Sequence, residues 1–181
     1  LSALGETFYS EGDYVSALKY YEDALSLAIK YNDKFDIKQN FIIGSISKVY
    51  RDMGYFEKSL TYAERCIDGY RMTNGIRSGS YSLALALKAD ILQKMEDKDS
   101  SMSVRMLSLE ILRKIYGFSD ICISEGYIPL IRSYIENKQY KKAGKTCDYV
   151  LNKIKGTTNS SIKWNIAKLY EQKSYIYYKI G

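Results

Sequence analysis

The chain of 181 residues has no histidine. That single absence removes imidazole acid–base catalysis, serine–histidine triads and most zinc sites. It has one proline, Pro129, which argues against a loop-rich β protein and for helices. Its three cysteines, Cys66, Cys122 and Cys147, are an odd number with no CxxC pair. They fit free thiols in a reducing compartment rather than a disulfide framework. Cytoplasm is therefore favoured, with a periplasmic sensor domain as the alternative. No apolar run approaches the ~20 residues a membrane-spanning helix needs. No run of five or six basic residues breaks the alternation of lysine with glutamate and aspartate. The net charge of +6 is thus spread over the chain, a solvated surface with no specific nucleic-acid site. GxSxG, GxGxxG and phosphate-loop patterns are missing as well.

What is present points to a packed helical protein. Apolar residues make up 46% and charged residues 27%, a balance that supports a folded core. Nineteen tyrosines supply large rings that pack while keeping a polar tip. The sequence opens on Leu1 inside a helical pattern and reads as a piece of a longer protein.

The dominant signal is internal repetition. The stretch from Phe8 through Gly12 to Leu18 returns as Tyr50 through Gly54 to Leu60, a step of 42 residues. The same step leads to Leu92 and Tyr134, and a step of 43 then leads to Tyr177. One large apolar column runs through Leu1, Ile43, Leu85, Tyr127 and Tyr170. A small-residue column runs through Gly5, Ser47, Ala89 and, less regularly, Ile131. After each corner come Ala17, Ser59, Ser101 and Ala143, then Ala24, Cys66, Ser108 and Val150, with Leu25, Ile67, Leu109 and Leu151 beside them. Two helices approach closely only where one offers a small side chain and the other fills the space. Gly12 and Gly54 fall where a helix must stop and turn, a place that favours positive φ.

Between corners the apolar spacing is helical, as in Phe41, Ile42, Ile46, Val49, Tyr50 and Met53. It predicts helices near 1–11, 14–32, 35–53, 56–73, 77–95, 100–116, 120–137, 140–154 and 160–179. Breaks between repeats are expected at Asn32-Asp33, Asn74-Gly75, Gly117 and Gly156 to Asn159. Two readings of Pro129 stay open: an interior proline that kinks a helix begun at Asp120 near Gly126, or a regular helix begun only at Ser124 to Tyr127.

These residues resemble a tetratricopeptide-repeat array. Leu4, Gly5, Phe8, Gly12, Tyr14, Ala17, Tyr21 and Ala24 carry the match in the first copy. Ile46, Ser47, Tyr50, Gly54, Phe56, Ser59, Ala63 and Cys66 carry it in the second. The long period is similar to that of kinesin light chains, Gram-positive pheromone receptors and many bacterial signalling proteins. The resemblance implies an all-α, right-handed superhelical solenoid of antiparallel helix pairs, about four and a half repeats in one domain over 1–181. Repeat limits fall near 1–33, 34–75, 76–117, 118–157 and a partial 158–181. The third copy departs with Lys88, Glu96, Lys98 and Arg105, so looser or shifted packing is expected around the third corner, with a register slip near Asp97 to Ser101 as one form of it. The fourth has Lys138 at its corner.

The resemblance also implies a concave groove lined by the first helix of each repeat. Its positions carry over to Glu6 and Tyr9, then Lys48, Arg51 and Asp52, then Asp90, Gln93 and Lys94, then Arg132 and Glu136, and last Glu171, Tyr175 and Tyr178. Arg51 and Arg132 offer bidentate forks for a carboxylate. Relatives that clamp chaperone tails use a Lys and Asn set; Lys48 fills one such column, but the asparagines are missing. The expected role is a peptide- or protein-binding scaffold or sensor of a larger, bacterial, signalling or regulatory protein, with no cofactor, no metal and no catalysis. The alternatives are a structural spacer and a homodimer formed through an uncapped C-terminal helix whose apolar side is Trp164, Ala167, Leu169, Tyr170 and Ile176. An enzyme is the remaining alternative, and Cys122 is the thiol expected to be reachable.

Overall fold

The computed structural model describes residues 1–31, 36–156 and 160–180. Among these residues the secondary structure is helical throughout, and the chain divides into two compact units, Leu1–Asp97 and Lys98–Gly181. The first unit holds α1 (Ser2–Ser10), α2 (Tyr14–Tyr31), α3 (Ile37–Asp52), α4 (Phe56–Thr73) and α5 (Gly79–Lys94). The second holds α6 (Lys98–Tyr116), α7 (Ile128–Glu136) preceded by a π-helical turn (Cys122–Tyr127), α8 (Tyr140–Ile154) and α9 (Ser160–Ile180). The sequence-based helices agree with these within a few residues. The breaks predicted at Asn32-Asp33 and at Thr157 to Asn159 lie outside the described residues.

Burial follows the ladder. Ala17, Ser59, Ser101 and Ala143 are fully buried, as are Ser47, Ala89 and Ile131. Gly5 lies under the Tyr21 ring, where an added Cβ would sit 2.9 Å from ring carbons. Ser47 and Ser59 lock α3 to α4 by a reciprocal exchange: each hydroxyl donates to the other's backbone carbonyl, at 2.8 and 2.7 Å. Rings stack across the same pairs, Phe8 on Tyr20 and Tyr50 on Tyr62, at 5.2 and 5.5 Å between centroids. The ends of the large column behave differently, since Leu1 and Tyr170 are exposed while Ile43, Leu85 and Tyr127 are buried. Capping also keeps the step of 42. Asp36 accepts from the Lys38 N–H at the start of α3, and Ser78 accepts from the Tyr81 N–H at the start of α5.

The corners are four copies of one hydrogen-bond motif. Gly12, Gly54, Glu96 and Lys138 all take positive φ, at 81°, 82°, 65° and 58°. In each copy the next residue's N–H reaches back five positions, to the carbonyls of Phe8, Tyr50, Leu92 and Tyr134. That is a Schellman closure, which satisfies carbonyls left open by the end of the helix. The third corner therefore keeps register: no slip occurs near Asp97 to Ser101, because the left-handed residue falls on Glu96, 42 after Gly54. Glu96 and Lys138 carry a Cβ in a conformation that costs an L-residue ~1–2 kcal/mol. Glu96→Gly and Lys138→Gly are each expected to stabilise the chain by about 0.5–1 kcal/mol, after the greater freedom of glycine in the unfolded chain is deducted. Urea titrations read the change, and Gly54→Ala should move the midpoint the opposite way.

Pro129 sits inside a helix that begins at Asp120, the first of the two readings. A plain kink is not how the helix adapts. The Ile128 N–H donates to the Ile123 carbonyl five residues back, which opens a π turn immediately before the proline ring. The wider turn makes room where a regular helix would meet the ring. Cys122 and Ile123, at the start of that turn, are both fully buried.

Candidate functional site

In the first unit α1, α3 and α5 are the opening helices of three successive 42-residue copies, and their polar side chains meet. The Tyr9 hydroxyl on α1 donates to Asp52 Oδ2 on α3 at 2.6 Å. Arg51 Nε and Nη2 donate to the two Asp52 oxygens at 2.7 and 3.1 Å. Arg51 Nη1 then faces Asp90 Oδ2 on α5 at 3.6 Å. Four of the carried-over residues thus form one chain of contacts, Tyr9–Asp52–Arg51–Asp90, across three helices. Lys48 and Lys94 stand exposed beside it, each four residues from a carboxylate of the network. Gln93 is half-buried on α5. Glu6 is held in place within its own pair, accepting from the Tyr21 hydroxyl at 2.7 Å.

The network sets its own charge states. Partial burial raises the Asp52 carboxyl, but hydrogen bonds from Arg51 and Tyr9 outweigh that, and it stays below the usual carboxylate range. Burial, then the bond to Asp52, pushes the Tyr9 phenol up to about 12. Asp52, Arg51 and Tyr9 thus stay an anion, a cation and a neutral phenol at neutral pH. The Arg51 fork is closed by its own neighbour, so a ligand carboxylate would have to displace Asp52 to use it.

The second unit does less with its share. Arg132 and Glu136 are exposed on α7, and Glu171, Tyr175 and Tyr178 are exposed on α9. No hydrogen bond joins these five among the described residues. Lys179 lies over the rings of Tyr175 and Tyr178, at 5.4 and 5.6 Å from their centroids. Its α9 helix also departs from the sequence-based picture: Leu169 and Ile176 are buried in the core with Ala143, Cys147 and Val150. They do not belong to the exposed apolar side, which holds Trp164, Ala167 and Tyr170. The 3.6-residue turn places positions 169 and 176 against α8 and leaves 167 and 170 outside.

All three cysteines are free and buried. Burial raises the thiols of Cys66, Cys122 and Cys147, to about 12, 11 and 11. The thiolate is the reactive form, so none is primed as a nucleophile at neutral pH. Cys122, expected to be reachable, is fully enclosed by the turn that precedes Pro129. Among the described residues no cluster of three metal-ligating side chains forms, and no helix is long and apolar enough to cross a membrane. A shallow apolar hollow of about 580 Å³, lined by Leu27, Ala28, Ile37, Phe41 and Tyr70, lies apart from the charged network.

Comparison with known proteins bears on the fold. Two family models of the tetratricopeptide repeat match, over residues 1–35 and 42–78. No curated protein matches the sequence. Among solved structures, BtubC from P. vanneervenii superposes with a TM-score of 0.83 at 16% identity, covering 99% of this chain and 71% of that one. The repeats of a putative kinesin light chain from P. anserina give 0.81 at 13% identity, covering 98% and 83%. A tetratricopeptide-repeat protein from Parabacteroides merdae gives 0.55 at 14% identity, covering 97% and 62%. Identities this low speak for a shared solenoid fold of helix pairs and for nothing finer.

Proposed function

Given that this chain is a tetratricopeptide-repeat array, we propose that it is a scaffold module that binds an acidic peptide or partner segment along α1, α3 and α5. The observation that carries this is the Tyr9–Asp52–Arg51–Asp90 network. It fixes side chains from three opening helices in one arrangement before any ligand arrives, and preorganised groups cost less to order on binding. Within it the carboxylates face Tyr9 or Arg51, whereas Lys48 and Lys94 project beside it as exposed cations. An extended segment with carboxylates spaced to meet both lysines fits that pattern. The thiols held neutral by burial support a binding role over an enzymatic one. A place as the sensor or scaffold part of a larger, bacterial regulatory protein, with 1–181 as one array, follows by analogy with other long-period arrays.

A peptide array probed with the purified chain tests this. Acidic sequences should be enriched, and Lys48→Glu combined with Lys94→Glu should weaken the best of them at least tenfold, about 1.4 kcal/mol. The exposed Arg71→Glu on α4 is the control, expected to change little. Binding indifferent to the paired reversal would remove α1, α3 and α5 as the contact face.

A further inference from the structure

We propose that the outward face of α8 docks on an anionic lipid bilayer as an electrostatic contact, with no part of α8 entering the hydrocarbon. This does not depend on the peptide-binding role of the first unit. Positive charge alternates with negative along most of the sequence, but it gathers at one end. From residue 138 to residue 181 there are ten lysines, no arginine and two acidic residues, Asp148 and Glu171. That exceeds the whole chain's net charge of +6, so the first 137 residues are slightly acidic.

On α8 the lysines share a side. Lys138, Lys142, Lys145 and Tyr149 step by four, three and four residues, with Lys141 beside them, and all five are exposed. Opposite them Ala143, Cys147 and Val150 are fully buried. None of these four lysines takes part in an ion pair among the described residues. Asp148, the one carboxylate of α8, is held by Lys173 of α9 at 2.6 Å.

The other second helices show that the fold does not require such a face. α2, α4 and α6 start in step with α8, each 42 residues from the next. At the places that hold Lys138, Lys141, Lys142, Lys145, Tyr149 and Asn152, the first copy sets Lys19 against Asp23. The second sets Lys58 and Arg65 against Glu57 and Asp68, and the third has Glu96, Asp99 and Glu110 with no cation. Continuation of the array does not cover these places either. Lys19 and Asp23 on α2, Thr61 and Arg65 on α4, and Ser103 and Leu107 on α6 stay exposed although further helices follow in the same unit.

Shape and residue type choose among anionic partners. The lysines stand on the outward side of a helix, which offers contact in one plane rather than a cleft to enclose a peptide. Their ammonium groups are mobile point charges suited to a diffuse layer of headgroups, and the stripe has no arginine fork to read a base edge. Its one ring, Tyr149, packs edge-on against Phe118 at 5.7 Å between centroids, so it is not free to stack on a base. The apolar side of α8 is occupied in the core, so the helix rests on headgroups and does not insert.

Cosedimentation of the 181-residue chain with vesicles reads the outcome. Phosphatidylcholine vesicles with about one-third phosphatidylserine should bind half the chain near ~1 mM accessible lipid at low salt, and pure phosphatidylcholine should bind none. Raising salt to about 0.5 M cuts the screening length to ~4 Å and should release it. Each lysine near such a surface is worth about fivefold in partitioning, so Lys142→Gln with Lys145→Gln should weaken binding about 25-fold. Lys58→Gln with Lys19→Gln makes the same charge change at the matching places on α4 and α2 and should cost less than about twofold. All four positions are exposed, and unchanged circular dichroism confirms that the variants fold. A chain that stays in the supernatant with the anionic vesicles overturns the proposal. So do equal losses from the two pairs of substitutions, or tighter binding to a single-stranded oligonucleotide than to vesicles at equal phosphate.

Discussion

Ser47→Leu is expected to destabilise the first unit by about 3–5 kcal/mol. Ser47 and Ser59 have no exposed surface, and the hydroxyls and carbonyls of the two residues face one another directly across α3 and α4. A leucine there brings three further carbons into a contact whose closeness depends on small side chains. It also strips a donor from the Ser59 carbonyl and crowds the Ser59 hydroxyl. Overpacking of this kind costs ~1–3 kcal/mol or more, and the disrupted bonds add roughly 1–3 kcal/mol. Ser47→Ala loses the bond without adding volume and should cost about 1 kcal/mol. Urea titration by far-ultraviolet circular dichroism ranks the two, and hydrogen exchange places the loss in α3 and α4. Because repeat arrays open in parts, the exchange pattern matters as much as the midpoint. Equal effects from leucine and alanine would mean that small volume is not what column 47 requires.

That column was legible from sequence because it states a spacing rule rather than a residue preference. The corners make the same point. Nothing about Glu96 or Lys138 as residue types announces positive φ, yet both take it because the step of 42 places them there. The helices were equally plain, since their apolar stripes are long and regular. What the sequence concealed depended on which way a helix faces or on a local departure from it. Cys122 is the third residue of a helix, where exposure is a fair expectation, but it opens the π turn before Pro129 and is fully buried. Arg51 and Asp52 are adjacent in sequence, and adjacent side chains on a helix normally diverge. Their pairing, which closes the fork assigned to a ligand, is a property of the last turn of α3 and left no spacing signal.

Ile176→Asp is expected to be the most damaging single change considered, at about 5 kcal/mol or more, while Tyr170→Asp should cost no more than about 1 kcal/mol. Both residues lie on α9, six apart, and both are apolar positions in sequence. Ile176 is only 1% exposed, and its Cγ2 lies 3.8 Å from where a Cβ on Gly144 of α8 would be. Removing its branched side chain leaves a cavity worth ~2–5 kcal/mol. An aspartate carboxylate in that place adds the cost of burying a charge in the apolar contact with α8. Tyr170 gives up little, because more than half of its surface already faces water. Thermal melts should therefore show Ile176→Asp losing the helical signal of the second unit at ambient temperature and Tyr170→Asp melting close to wild type. Were the two variants equally tolerated, α9 would not rest on α8 through its 169 and 176 face.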